Sequence, residues 1–215
     1  MTAFLWKHEL TYVSAPKVAC TSLKYFFFEI ENGFEFRQFH ANGRMQHLHN
    51  AVYPTREFDT LPHDKIADHV RLTVVRDPVK MFISCYANRV RHHRELGPER
   101  IRPKFRKRGA KPDPSLAEFI DRIELYCEAS RPIRHHVLPL VAYLGRDPAY
   151  YDQIYSIDQL EPLRERVKAI TGRAPELTRR QTGGPKLSPD DLTAAQRQRI
   201  EDFYADDYAT FDAYF

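Results

Sequence analysis

Leu10-Thr11-Tyr12-Val13-Ser14-Ala15-Pro16-Lys17-Val18-Ala19-Cys20-Thr21-Ser22-Leu23-Lys24-Tyr25-Phe26-Phe27-Phe28-Glu29-Ile30 decides how this chain is read. The first four residues form a short run suited to a buried strand. Pro16 to Ser22 reads as a turn, and Leu23 to Ile30 as a helix. Gly33 stands where a helix ends on a left-handed residue. The stretch is therefore a strand–loop–helix unit.

The same logic recurs downstream. Val70 to Val75 is a second strand, with four apolar residues among six. Asp77 then suits an N-cap and Pro78 the first helical position, for a helix running to about Val90. Residues 34–65 between the two units are polar, His-containing and irregular in period. Ser115-Leu116-Ala117-Glu118 is a capping box opening a helix with Leu116, Phe119, Ile120 and Ile123 on one face. Ile154 to Ile157 reads as a strand, and Asp158 as the cap of a helix over 159–170 ended by Gly172. Ser188-Pro189 opens a last helical region with Ile200, Phe203, Tyr204 and Phe211 as its apolar stripe. Strands alternating with helices predict an α/β layered fold, its mostly parallel central sheet flanked by helices. The expected organisation is one domain over 1–215 with a basic loop insertion at about 91–114.

Composition sets the outer limits. Of 215 residues, 42% are hydrophobic and 13% aromatic, enough for a packed interior and too many for a disordered chain. No run of about 18 apolar residues occurs, so no membrane-spanning helix is expected. The N-terminus lacks the charged-then-apolar build of a signal peptide, and the expected location is the cytoplasm. Cys20, Cys85 and Cys127 are odd in number and scattered, which suits neither a disulfide framework nor a metal site. All three are expected to be reduced, two of them as small core residues. The net charge of +4 is unevenly spread. Between Arg89 and Lys111, ten Lys/Arg face two Glu, a local +8 that leaves −4 for the remainder. Such a segment suits an anionic partner.

The first loop, Ser14 to Leu23, lies between a strand and a helix N-terminus, where free N–H groups and the helix dipole attract phosphate. Val18, Ala19 and Cys20 offer backbone, Thr21 and Ser22 add hydroxyls, and Lys17 supplies a compact positive charge. An ordinary turn with Ser or Thr as N-cap fits the same placement. No Gly-x-x-x-x-Gly-Lys-Ser/Thr pattern occurs, which disfavours a nucleotide kinase of the usual kind. The second loop, Val74-Val75-Arg76-Asp77-Pro78, carries Arg76 at a strand end, and Ser84 follows two turns along the helix. The two could converge on one phosphate, since Arg suits bidentate binding. An Arg–Asp pair stabilising the turn is the other reading. Two phosphate-seeking turns at the C-terminal ends of two strands suit a ligand with phosphates at both ends.

Pro16-Lys17-Val18-Ala19-Cys20-Thr21-Ser22-Leu23-Lys24 resembles the 5'-phosphosulfate loop of the Golgi-type carbohydrate sulfotransferases and their bacterial relatives. Val75-Arg76-Asp77-Pro78 with Ser84 resembles their 3'-phosphate motif. His136-Val137-Leu138-Pro139 and Phe203 to Phe211 resemble later family stretches, with Tyr208 where Phe is usual. The resemblance spans roughly residues 10–211. It implies a P-loop-related, three-layer α/β fold, no metal, and 3'-phosphoadenosine 5'-phosphosulfate (PAPS) as donor. Lys17, Thr21 and Ser22 would hold the 5'-phosphosulfate; Arg76 and Ser84 would hold the 3'-phosphate. The implied acceptor is a hydroxyl, of a sugar or glycan. A Golgi location is not carried over.

Transfer needs a base for the acceptor hydroxyl and a charge to stabilise the leaving oxygen, the second role falling to Lys17. His49 and His47, in His47-Leu48-His49, stand nearly equal as the base. His40, His136 and Glu57 are weaker alternatives. Arg180, in a second basic turn, is a candidate for a late loop closing over the nucleotide. The basic segment from Arg100 to Arg108 reads as an acceptor loop, a lid or a solvated loop, and no nucleic-acid motif accompanies it. Two rival functions stay open: a nucleotide or sugar kinase, and a non-catalytic binder of anionic glycans.

Overall fold

A computed structural model of the chain describes residues 2–54, 56–178 and 183–215. Arg180 lies outside the described residues. The strands are β1 Ala3–Leu5, β2 Leu10–Val13, β3 Phe39–Ala41, β4 Arg44–Gln46, β5 Val70–Val75 and β6 Gln153–Ser156. The helices are α1 Cys20–Asn32, α2 Leu48–Ala51, α3 Pro78–Cys85, α4 Pro103–Lys107, α5 Leu116–Asp121 and α6 Ile123–Ala129. They continue as α7 Arg131–Val137, α8 Val141–Leu144, α9 Leu160–Thr171, α10 Ala194–Phe203 and α11 Ala205–Phe211. Two compact units result: Met1–Arg76, Leu140–Gln181 and Thr210–Phe215 form the first, Asp77–Pro139 and Thr182–Ala209 the second.

The first unit holds the sheet, in the order β1-β2-β5-β6. β2, β5 and β6 run parallel, and β1 joins β2 antiparallel at the edge. The expected mixed α/β fold with a mostly parallel sheet is thus present. Register explains the site: Val13, the last residue of β2, pairs with Thr73, and β5 runs two residues further to Val75, so the chain leaves both strands at the same edge of the sheet. The Thr73 hydroxyl locks that register by donating to the Val13 carbonyl at 2.8 Å. α1 follows β2 and buries Leu23, Phe26, Phe27, Phe28 and Ile30. Phe27 stacks on Tyr12 of β2 with centroids 4.7 Å apart. Gly33 ends the helix at φ 86°, its N–H donating to the Glu29 carbonyl.

Several elements differ from expectation. β1 is an added edge strand. Residues 39–46, read as irregular, form a β3–β4 hairpin turning at Asn42 and Gly43, both left-handed at φ 52° and 70°. Asn-Gly is the pair that a tight hairpin turn demands. The Ser156 N–H donates to the Gln159 side chain and Ser156 caps a short turn at Ile157–Gln159, so α9 starts after that turn with Gln159, not Asp158, at its cap position.

The second unit is helical. Asp77 caps α3 by accepting from the Lys80 N–H at 2.8 Å, with Pro78 following as expected. Beyond Cys85 the helix widens into a π-helical stretch over Tyr86–His92 instead of staying regular to Val90. Its core gathers Phe82, Phe119, Tyr126, Ile133, Val137 and Tyr204. The Ser115 capping box forms as read. The basic stretch at 91–114 is anchored rather than a bare loop, because α4 and the buried Leu96, Ile101, Phe105 and Ala110 pin it to this core. All three cysteines are free thiols; Cys85 is buried in the core of the second unit and half-buried Cys127 packs against that core, whereas Cys20 is half-buried at the start of α1. Among the described residues, no helix is long and apolar enough to cross a membrane.

Candidate active site

The site grows from the turn between β2 and α1. Lys17 and Ala19 both hold left-handed backbone, at φ 66° and 59°. Alternating left-handed residues curl a chain so that successive N–H groups face one concavity suited to an anion. Ala19 occupies the N-cap of α1 and has no side chain able to cap it. Thr21 and Ser22 lie inside the first turn. The reading of this loop as an ordinary Ser- or Thr-capped turn therefore fails. Helix α1, 13 residues long, starts with backbone donors that no side chain at the cap position satisfies, where its dipole favours negative charge.

Two other segments reach this helix end. Arg76, leaving β5, donates from Nη1 to the Lys17 carbonyl at 3.2 Å, so the two basic residues share one strand edge. Both are half-buried. His49, on α2, brings Nε2 within 3.3 Å of the Thr21 hydroxyl. Its Nδ1 lies 2.8 Å from the side-chain nitrogen of Lys24, two residues beyond Ser22 on α1. Lys24 also donates to the Tyr53 carbonyl at 2.7 Å.

The two histidines of His47-Leu48-His49 thus part company. Leu48 is buried, His49 is half-buried against α1, and His47 is exposed at the start of α2, its N–H held by Asn50 at 2.7 Å. His40 is exposed on β3 and Glu57 is exposed before the turn at Phe58–Thr60. His136 lies in the second unit, its Nδ1 2.7 Å from the Pro132 carbonyl of its own helix. Ser84 belongs to the second unit, half-buried on α3.

Lys24 is the residue that sequence reading passed over. It was visible as a lysine inside an otherwise apolar helical face, flanked by Leu23 and followed by Phe27 and Phe28 at helical spacing. Its side chain is wholly buried. Burial pulls its pKa down from 10.5 to about 8, with the Cys20 charge acting the other way. A lysine so lowered changes charge within reach of neutral pH, which an exposed lysine does not.

Beside this cluster opens an apolar cavity of about 530 Å³, lined by Phe28, Phe34, Phe36, Phe39 and Val52, with Glu35 and Arg37. Phe28 is four residues beyond Lys24 on α1, and Val52 is three beyond His49. Residues at those helical spacings are neighbours, so the cavity wall begins about one turn from the Lys24–His49 pair.

A family model described as "Sulfotransferase family" matches residues 4–214. No curated protein and no solved structure matches the chain.

Proposed function

The chain belongs to the sulfotransferase family, and from that membership we propose that it transfers a sulfuryl group from PAPS to an acceptor hydroxyl. The observation that carries the reading is the convergence on the N-terminus of α1. The left-handed turn at Lys17 and Ala19, Arg76 on the Lys17 carbonyl and His49 on Thr21 all meet there. On this reading the backbone from Lys17 to Cys20, with Thr21 and Ser22, binds the 5'-phosphosulfate. Arg76 and Ser84 bind the 3'-phosphate, as the sequence motif suggests.

Lys17 stabilises the negative charge that gathers on the bridging oxygen as the sulfur–oxygen bond breaks, an electrostatic task without proton transfer. His49 takes the proton of the attacking hydroxyl at Nε2 as the new sulfur–oxygen bond forms. His47, turned outward, has no part in that step. A cytoplasmic setting belongs to the same proposal.

The acceptor admits two readings. The family resemblance favours a carbohydrate hydroxyl. The phenylalanine-lined cavity favours an alcohol with an aromatic or alkyl body, because a sugar would leave its hydroxyls facing side chains that form no hydrogen bonds.

The test has two arms. Adenosine 3',5'-bisphosphate is titrated by calorimetry into wild type, Lys17→Ala and Arg76→Ala; both variants weaken binding. Labelled sulfate is then followed from PAPS to glycans, phenols and long-chain alcohols. His49→Ala lowers kcat about 10²–10⁴-fold with nucleotide affinity kept, and His47→Ala changes it little. Absence of nucleotide binding at millimolar concentration sinks the proposal, and preference for ATP with magnesium points to a kinase instead. Nucleotide binding without turnover on any acceptor supports a non-catalytic binder.

A further inference from the structure

A buried lysine against a histidine ring imposes a choice on both. While Lys24 is an ammonium, every hydrogen on its nitrogen is a donor. His49 Nδ1, 2.8 Å away, must then accept, which leaves the ring proton on Nε2. In that tautomer Nε2 points an N–H toward the Thr21 hydroxyl and has no lone pair for a substrate proton. Protonating the ring as well would set two cations face to face in a buried site.

A neutral Lys24 reverses the arrangement. Its lone pair accepts Nδ1–H, while its own N–H still donates to the Tyr53 carbonyl at 2.7 Å. Nε2 then carries the lone pair. We propose that Lys24 is the positioning residue of sulfuryl transfer: as a neutral amine it fixes the His49 tautomer that serves as base, and it receives the Nδ1 proton as the acceptor proton reaches Nε2. The inference rests on the role given to His49 above.

The proton count closes. The acceptor oxygen loses its proton to Nε2 and gains the sulfur. The donor's bridging oxygen keeps the electron pair of the broken bond. The Nδ1 proton passes to Lys24, which becomes an ammonium, and His49 is left neutral with its proton on Nε2. Loss of one proton to water restores the starting state.

Burial places the Lys24 titration near pH 8, so the competent state fills as pH rises toward that value. The titratable groups around it are few. Cys20 lies one turn back on α1 and acts on Lys24 through its charge. His49 faces it from α2. Tyr53, whose carbonyl it holds, has its phenol pushed above the ordinary range by burial and by Glu31, and stays neutral through this window.

The experiment compares wild type with Lys24→Gln, Lys24→Arg and Lys24→Met. Gln offers a carbonyl that accepts Nδ1–H at every pH; Arg stays charged; Met neither donates nor accepts. Wild-type kcat rises close to tenfold per pH unit below its plateau, as one deprotonation requires. Lys24→Gln keeps kcat within about tenfold and loses that rise. Lys24→Arg falls about 10²–10⁴-fold, as His49→Ala does, with the affinity for adenosine 3',5'-bisphosphate kept. Nitrogen NMR of His49 in the wild-type chain supplies a readout that needs neither turnover nor a variant that folds. Its proton is expected to move from Nε2 to Nδ1 as Lys24 titrates. A tautomer that never changes overturns the inference, as does an active Lys24→Arg or an unaltered pH profile in Lys24→Gln. If no acceptor is sulfated by wild type, the functional reading fails, and the NMR result still decides what Lys24 does to His49.

Discussion

Lys24 also makes the stability of the first unit depend on pH in an unusual direction. Its pKa falls from 10.5 in the open chain to about 8 in the fold. Between those values the unfolded chain holds a proton that the folded chain has released. Stability is therefore lowest below pH 8 and climbs as pH approaches 10.5. The fall spans more than two powers of ten in proton affinity, which amounts to about 3 kcal/mol for this fully buried side chain. About 2 kcal/mol of it returns between about pH 7 and about pH 9.5. Lys24→Met removes the ionisable group while keeping an unbranched chain of similar length. It also removes the hydrogen bonds to His49 and Tyr53, a loss that does not change over the same range. Urea unfolding followed by fluorescence of Trp6, the single tryptophan and a member of the same unit, measures both proteins. Wild type is expected to gain on Lys24→Met steadily as pH rises. Parallel curves would refute the reasoning, since they would mean that Lys24 is not charged and desolvated in the fold.

Other substitutions probe the second unit. Phe119 is fully buried among Phe82, Tyr86 and Tyr126, with ring centroids 5.2 to 5.7 Å away; Phe119→Ala should cost about 3–5 kcal/mol in denaturant unfolding. Gly184 sits at φ 111°, and a Cβ there would lie 2.4 Å from the Ala87 carbonyl oxygen on the π-helical stretch. Gly184→Ala should cost about 1–3 kcal/mol from backbone strain alone and raise hydrogen exchange over Tyr86–His92; unchanged exchange would argue against that packing. Tyr204 donates to the Val137 carbonyl at 2.8 Å in a buried site, so Tyr204→Phe should lower stability by about 1–3 kcal/mol with little change in fluorescence.

The parts of the fold that were legible in the sequence are those with a local cause. Val70 to Val75 announced a strand by its apolar run, and Asp77-Pro78 announced the helix start by its chemistry. Gly33 and Gly172 announced helix ends by the left-handed backbone they alone adopt without strain. The Asn42-Gly43 turn was equally local, yet the strands beside it are three residues each and exposed, so they lack the alternation that marks a half-buried strand. The π-helical widening after Cys85 has no local signal, and Gly184, whose backbone lies against the Ala87 carbonyl, is almost a hundred residues away in the chain. In the site, Lys17 and Arg76 were visible as charges at strand ends. The separation of His49 from His47 was not, since it depends on which face of a one-turn helix meets α1. Lys24 was in plain view, but spacing alone does not reveal that a distant histidine and a backbone carbonyl would receive its ammonium group.

The cationic stretch from Arg89 to Lys111 behaves differently from its formal charge. Glu95 binds both Arg89 and Arg100, Asp113 binds Arg94, Glu128 binds Arg108, and Glu118 binds Lys111. Arg102 and Lys104 lie over the Phe105 ring, and Arg106 donates to the Ile101 and Pro98 carbonyls. Half of its ten cations are thus matched by carboxylates within the second unit. The field reaching solvent is weaker and shorter in range than a bare polycation's, and a polyanion could engage these side chains only by displacing their present acidic neighbours. Nonspecific adhesion to heparin or nucleic acid, the usual hazard of so basic a sequence, is curbed by the protein's own acids.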